Sequence, residues 1–519
     1  MFALLLWPPA LAGLVFSLFL VLKLITAHHR QQRFPPGPSS GGALRKALKR
    51  NPHELFAGWS KQYSSPVVSV GILWKRVVVV NAFEVADALL NKRSAAFSDR
   101  PNRFVSLHRC DYDRGMAFMS QGPRLKQTRS LYQQALNAHV ISLQLPYFER
   151  QTPRFLASLL DKPKDLHEHI HFFYTKTILD WTLGYHAESL DDTDLLYLSE
   201  KVSNNSTHML AASTQLWVEM FPFFKVLPVW MVGHRTASTI QQFKRELAAL
   251  FLRTDEHVRR CLVRHPNGGP SSFMSSILNK TLSDEEKDVA LYSSASLTAA
   301  GFHTMISITT TFFFAMMRYP EAQREAQEEI DRVVGRHRLP TAADQASLPF
   351  TEALITEVMR WLPPVALTSR SLKQDEWYED MLFPRGCTIL TNVWAMTRDE
   401  SRFPDPHEFC PERYLVPSED GSMKLDILKV RHVRHLGFGF GRRVCPGRFF
   451  ADALLWITLS RVLATMSITP PKDQPVAIPE VIDSVVIRFE EFACQLKERY
   501  EGAGDLVRAA EAEVGDAPA

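Results

Sequence analysis

The stretch "FGFGRRVCPGRFFA", residues 438 to 451, sets three glycines and three arginines around one cysteine, Cys445. Gly439, Gly441 and Gly447 let backbone approach a flat object closely, and Pro446 suits the first turn of a helix. The residues that follow, "FFADALLWITLSRVL", have helical apolar spacing, so the cysteine is expected at the mouth of a helix. Oriented N–H groups and the helix dipole there lower a thiol's pKa and favour the thiolate. Such a cysteine suits a metal ligand or a nucleophile. A nucleophile needs a histidine base, and the nearest candidates, His432 and His435, have no direction the sequence defines. One thiolate among bulky aromatics and arginines fits axial ligation of a haem iron better.

The 519 residues allow about three ordinary domains or one large one, and 45% hydrophobic content supplies a sizeable core. A formal net charge of +4 gives no global electrostatic case for nucleic acid, so no nucleic-acid partner is expected. Six cysteines are scattered without CxxC pairs, which reads as reduced thiols with neither disulfides nor a zinc site. Residues 1–27, "MFALLLWPPALAGLVFSLFLVLKLITA", carry one charge, Lys23, and are long enough to cross a hydrocarbon core of roughly 30 Å. They read as a transmembrane anchor rather than a cleaved signal, because no charged segment precedes them and no small-residue cleavage site follows. Arg30 and Arg33 then place the rest of the chain on the cytosolic side. Sequons at Asn204, Asn205 and Asn279 are therefore expected to stay unglycosylated. A basic, proline-rich linker over 28–50 contains "FPPGP", a stiff exit from the membrane.

Strand patterns are few: "PVVSVGILWKRVVVV" (66–80) reads as a hairpin, and "CTILTNVWA" (387–395) and "DSVVIRF" (483–489) as short strands. The capping box Ser283-x-x-Glu286 opens a helix that runs to Pro320 and, apolar nearly all round, must be buried along its length. "PEAQREAQEEIDRVVG" and "LPFTEALITEVMRWLPP" form two more helices, ended by Gly335 and by Pro363 with Pro364. The end of the chain, 501–519, is low in complexity and is expected to be a loosely ordered tail.

Phe438-x-x-Gly441-x-Arg443-x-Cys445-x-Gly447 matches the haem-binding signature of the cytochrome P-450 superfamily at every fixed position, and the chain resembles those haem-thiolate monooxygenases. Upstream, Glu357-x-x-Arg360 and Arg413 of "PERY" are similar to the family's Glu-Arg-Arg triad, a structural network holding the haem loop. The likeness covers the chain from the anchor to about residue 500, and from "YPEAQREAQEEIDRVVGRHRLP" to "FPDPHEFCPERYL" it is most like fungal biosynthetic members. It implies a mainly α fold with a small β region, as one catalytic domain over 51–500. It also implies haem b held by the Cys445 thiolate, with Phe438 and Gly447 in the binding loop and Arg443, Arg129 and Arg370 on the propionates. The implied activity inserts one oxygen atom from dioxygen into an apolar substrate, and the fungal likeness implies a secondary metabolite such as a terpenoid. Electrons come from NADPH through a flavoprotein reductase, at the endoplasmic reticulum membrane.

Two departures stand out. The family's oxygen-activating segment reads Ala300-Gly301-Phe302-His303-Thr304, with histidine where an acid is usual. Thr304 with His303 is the implied proton-delivery pair, Gly301 the implied space for dioxygen, and histidine can relay protons near neutral pH. In "GPRLKQTRSLY", Leu125 stands where the family has tryptophan, while Arg129 is retained. "LKVRHVRH" (428–435) supplies Lys429, Arg431 and Arg434 as cations for an acidic reductase. The missing acid keeps open an isomerase or dehydratase that dispenses with dioxygen, and a haem-binding protein without turnover is the alternative outside enzymes. Segments 106–119, 210–227, 365–367 and 485–487 are expected to set the substrate.

Overall fold

The computed structural model describes residues 34–38, 51–72, 75–101, 108, 111–189, 191–192, 194–210, 234–264, 272–278, 282–419, 421–472, 478–482 and 485–515, with backbone alone at 72, 206–210, 234–236, 264 and 515. The expected anchor over 1–27, most of the 28–50 linker, Cys110, Asn279 and nearly all of 210–227 lie outside the described residues.

Helix α1 (Pro52–Gln62) leads into the expected hairpin, β1 (Val67–Ile72) and β2 (Lys75–Val80), paired from Val67 opposite Val80 to Ile72 opposite Lys75. Two later strands, β3 (Leu367–Ser371) and β4 (Thr388–Asn392), complete a sheet of order β1-β2-β4-β3, with β2 parallel to β4 and β3 antiparallel to it. Alternation splits the valines. Val68, Val70 and Val79 pack with Phe56 and Trp59 of α1, whereas Val67, Val78 and Val80 enter the main core. The expected strand 387–395 stops at Asn392, whose side chain accepts from the Ala395 N–H and turns Val393–Met396 into a short helix. Of 483–489 only Arg488–Phe489 (β6) is a described strand, paired with Val481–Ile482 (β5).

The rest is mainly helical: α2 (Phe83–Ala86), α3 (Pro123–Leu136), α4 (Leu145–Asp161), α5 (Leu166–Leu183), α6 (Leu195–Leu210), α7 (His234–Arg264), α8 (Asp284–Arg318), α9 (Pro320–Val333), α10 (Pro349–Trp361), α11 (Ile427–Phe438), α12 (Arg448–Thr465) and α13 (Ala503–Gly515). Helix α8 has the expected capping box and an acidic first turn that complements the dipole. It is long and apolar enough to cross a membrane, yet 78% of its apolar window is buried, so it is the central core helix. Its hydroxyls are satisfied locally, Thr298 on Ser294 O and Thr311 on Ser307 O, and Thr309 meets Tyr174 of α5 at 2.7 Å.

Both ends of the folded unit reach past the expected boundaries. Phe34–Pro38 docks on the sheet edge: Ser69 donates from N to Pro36 O and from Oγ to Pro35 O, and Arg76 stacks on Phe34 at 3.7 Å. The expected loose tail is instead largely helical. Gly502, at φ +92°, lets the chain turn into α13, which buries Ala503 and Val507 and packs on α4. Composition misled because small residues here serve close packing.

Candidate functional site: a cysteine loop, a buried arginine cluster and a core helix

Asp426 caps α11 through the Leu428 and Lys429 N–H groups, and the helix ends at Gly439, φ +83°. A turn over Gly441–Arg443 follows, and Cys445 N–H donates to Phe438 O at 2.8 Å, folding the loop back on the end of α11. Phe438 thus contributes its carbonyl to the loop and a half-buried ring to the core. Helix α12 begins at Arg448 with Gly447 as N-cap, so Cys445 lies just before the helix rather than in its first turn. Burial pushes the Cys445 thiol up from its usual value, while the Gly447 N–H, Arg448 and Arg129 pull it down. The expected net lowering is therefore reversed in the protein alone. A coordinating cation would invert that balance and deprotonate the thiol.

Around the loop lies an unusual concentration of guanidinium groups. Arg129 of α3 donates to Val444 O at 3.4 Å; Arg443 donates to Ser98 O, Met116 O and Met119 O; Arg370 of β3 donates to Ser369 O. Arg100, which sequence reasoning missed, joins them: it donates to Ser369 O, and its Nε is buried without a hydrogen-bond partner. Burial, then Arg443, pushes Arg370 down to about 9. Burial likewise pushes Arg443 down to about 10 and Arg100 well below its ordinary value, with Asp99 opposing in both cases. One carboxylate facing this set leaves buried positive charge uncompensated, a costly state that calls for anions. A flat macrocycle with two carboxylates, held by a thiolate, answers that need; the residues fit haem.

Glu357, Arg360 and Arg413 come together. Arg360 Nε and Nη2 donate to Glu357 at 2.7 and 2.8 Å with both side chains fully buried, and Arg413 Nε reaches Glu357 Oε1 at 3.1 Å. Two partners were not foreseen: Tyr414 Oη and Cys410 N–H also donate to Glu357, at 2.7 and 2.9 Å. Arg360 carries Thr397 O, Pro406 O and Glu408 O, so the network ties α10 to the segment before the cysteine loop.

Mid-α8, Ala300 is exposed, between half-buried Ala299 and Gly301. Thr304 is half-buried, and its Oγ1 donates back to Ala300 O and Gly301 O at 3.1 and 3.0 Å. A Cβ at Gly301 would sit 2.9 Å from Ile178 Cδ1, so on that side the glycine lets α8 pack closely on α5. His303 has a buried Nε2 with no hydrogen-bond partner. Burial, then Arg488 of β6 and His171 of α5, pushes it down to about 4, so it is neutral at physiological pH. Expected titration near neutrality gives way to a fixed neutral imidazole. Leu125 is buried in α3 beside the retained Arg129.

The basic stretch 428–435 lies within α11. Arg434 is half-buried and committed: Nε to both Asp452 oxygens, Nη1 to Thr356 Oγ1, Nη2 to Glu352. It cannot serve a docking partner. Lys429 donates to Arg413 O but is exposed, as is Arg431, so these two of the expected three face outward.

Comparison with known proteins agrees with this geometry. The profile of the family described as cytochrome P450 matches residues 32–492. "Cytochrome P450 monooxygenase 176" of Postia placenta is 33% identical, covering 96% of each chain. "Cytochrome P450 monooxygenase COX2" of Coprinopsis cinerea is 30% identical over 92% of each, and "Cytochrome P450 monooxygenase claR" of Ampulloclitocybe clavipes is 30% identical over 92% of this chain and 89% of its own. A zebra fish cytochrome P450 solved with abiraterone superposes with a TM-score of 0.67 at 22% identity, over 86% of this chain and all of that one, a likeness of fold. With the thiol loop, the buried triad and the family profile in agreement over nearly its whole length, the chain belongs to the cytochrome P450 family of haem-dependent monooxygenases.

Proposed function

We infer that the protein inserts one atom of dioxygen into an apolar organic molecule, a fungal secondary metabolite such as a terpenoid, with electrons drawn from NADPH through a flavoprotein reductase. The observation that carries the reading is the half-buried thiol of Cys445, set against buried Arg370 and Arg443 and half-buried Arg129 and Arg100, with the Asp99 carboxylate among them. Haem, when bound, supplies dioxygen activation, and its thiolate ligand favours O–O cleavage. Cys445 would hold the iron, and Arg129, Arg370, Arg443 and Arg100 the propionates. The fungal relatives support the substrate class by kinship alone. Residues 1–27 would hold the enzyme at the endoplasmic reticulum membrane; a chain starting at Phe34 is expected to move from the membrane pellet toward the supernatant, and identical partition of both forms would count against the anchor.

Thr304 and His303 are the proposed proton-handling pair. In its present rotamer Thr304 Oγ1 spends its proton on the helix carbonyls and keeps its lone pairs free, so it can accept from a water and must rotate to donate. His303 works as a neutral imidazole, taking a proton at one nitrogen and releasing one from the other. With its pKa near 4, product per NADPH should stay flat between about pH 7.5 and 5.5 as far as His303 is concerned. His303→Ala is expected to lower that ratio several-fold and divert electrons to hydrogen peroxide with haem content unchanged. Wild-type coupling in the alanine variant would reduce His303 to a packing residue.

A further inference from the structure

The Cys445 loop is fastened by a second element, far from it in sequence. Helix α2 passes into a turn of π-helix over Asp87–Lys92, in which Arg93 N–H reaches back to Ala88 O. Such wide turns are rare and collect at functional sites. This one presses Leu90 C=O against Gly441, which has φ +54° and where a Cβ would lie 2.0 Å from Leu90 O; no other residue fits. Beside it, Asn91 Oδ1 accepts from the Gly441 N–H at 2.5 Å. The Asn91 amide nitrogen donates to Asp87 Oδ1 at 2.7 Å and lies 2.9 Å from His435 Nε2. With Oδ1 committed to Gly441, the amide nitrogen is the donor toward His435. His435 Nε2 must then accept, and its proton sits on Nδ1.

We propose that Asn91 is a positioning residue for the Cys445 loop, its amide kept in register by neutral His435 on one side and Asp87 on the other. The proposal rests on the reading of Cys445 as the iron ligand. Gly441 opens the turn that leads to the cysteine: Val444 N–H donates to Gly441 O, Arg443 N–H to Phe440 O, and Cys445 N–H to Phe438 O. Movement at Gly441 therefore shifts both the thiol and the Arg443 guanidinium. Burial lowers the His435 pKa, Asp87 pulling the other way, and the ring packs edge-on against Phe83 and near Phe440, so the accepting form prevails at neutral pH. The charged and titratable groups around it are Asp87, with Lys92 at 3.5 Å from it, and His432 on the same helix, itself beside Arg402, Glu84 and Asp399. Protonation makes His435 Nε2 a donor facing a donor. The amide can satisfy it only by rotating, which takes Oδ1 off Gly441. Because the folded-state pKa is depressed, the latch is intact above the free value of about 6.5 and is lost as pH falls through the lower folded value.

The test uses the full-length, haem-loaded protein and follows the thiolate signature of its reduced carbonyl spectrum, the haem reduction potential and far-ultraviolet circular dichroism against pH. Asn91→Ala is expected to keep wild-type helicity but lose the thiolate signature about tenfold faster or more at pH 7.5, the effect of a buried N–H left without its acceptor. His435→Gln, which can still accept, should match the wild type at pH 7.5 and lose its acid sensitivity; His435→Lys, which can only donate, should behave as Asn91→Ala. If Asn91→Ala does not fold, the contrast between the glutamine and lysine variants decides. Identical decay and potential in Asn91→Ala and wild type, or in the two His435 variants, would overturn the latch. If Cys445→Ser itself keeps the thiolate signature, the iron-ligand reading has failed instead.

Discussion

Cys445→Ser is expected to abolish the thiolate signature of the reduced carbonyl spectrum together with all turnover. A serine oxygen is a harder, poorer electron donor than sulfur, and its proton comes off far less readily, so it does not supply the push that O–O cleavage needs. The substitution is nearly isosteric, and the guanidinium groups of Arg100, Arg129, Arg370 and Arg443 remain to draw the propionates. Some haem should therefore be retained, ligated differently, while the fold by circular dichroism stays that of the wild type. A variant with the wild-type spectrum would remove Cys445 from the iron.

The second large effect is on folding. Glu357→Ala removes the acceptor shared by Arg360, Arg413, Tyr414 and the Cys410 N–H, and leaves Arg360 charged in a site with no exposed surface. Burial alone would depress the Arg360 pKa; Glu357 more than offsets it, and the net direction is upward. Breaking such a pair from one side costs about 3–5 kcal/mol, a large part of the roughly 5–15 kcal/mol that holds a domain together. Haem-loaded soluble protein should fall to a small fraction of wild type, with a lower urea midpoint in what remains. Glu357→Gln, which keeps one acceptor, should lie between. Wild-type yield and midpoint in the alanine variant would show that the network is dispensable.

What the sequence made legible was local or fixed in spacing. Gly441 is forced by its φ and by Leu90 O, and Glu357 and Arg360 share one helix turn, so short patterns carried both. The long core helix was readable from its capping box and its unbroken apolar run. Features set by distant neighbours were not readable. Arg434 passed for a surface cation because Glu352 and Asp452, which bury its charge, stand 82 and 18 residues away. His303 passed for a residue titrating near neutrality because its burial, and then Arg488 and His171, come from other elements. Arg100 had no periodic signal in "SDRP", and the close approach of Ile178 to Gly301 comes from another helix. The last helix hid in a glycine- and alanine-rich stretch whose buried positions are Ala503 and Val507.

The central claim, that this chain transfers one atom of dioxygen to an organic substrate, is tested most directly by isotope. Membranes carrying the full-length protein and a reductase are given NADPH, heavy-isotope dioxygen and a panel of apolar terpenoids, and products are weighed by mass spectrometry. The expected result is one heavy oxygen atom per oxidation, with NADPH consumed in step and no product from Cys445→Ser. A product formed without NADPH or dioxygen, or one whose new oxygen comes from water, would contradict it.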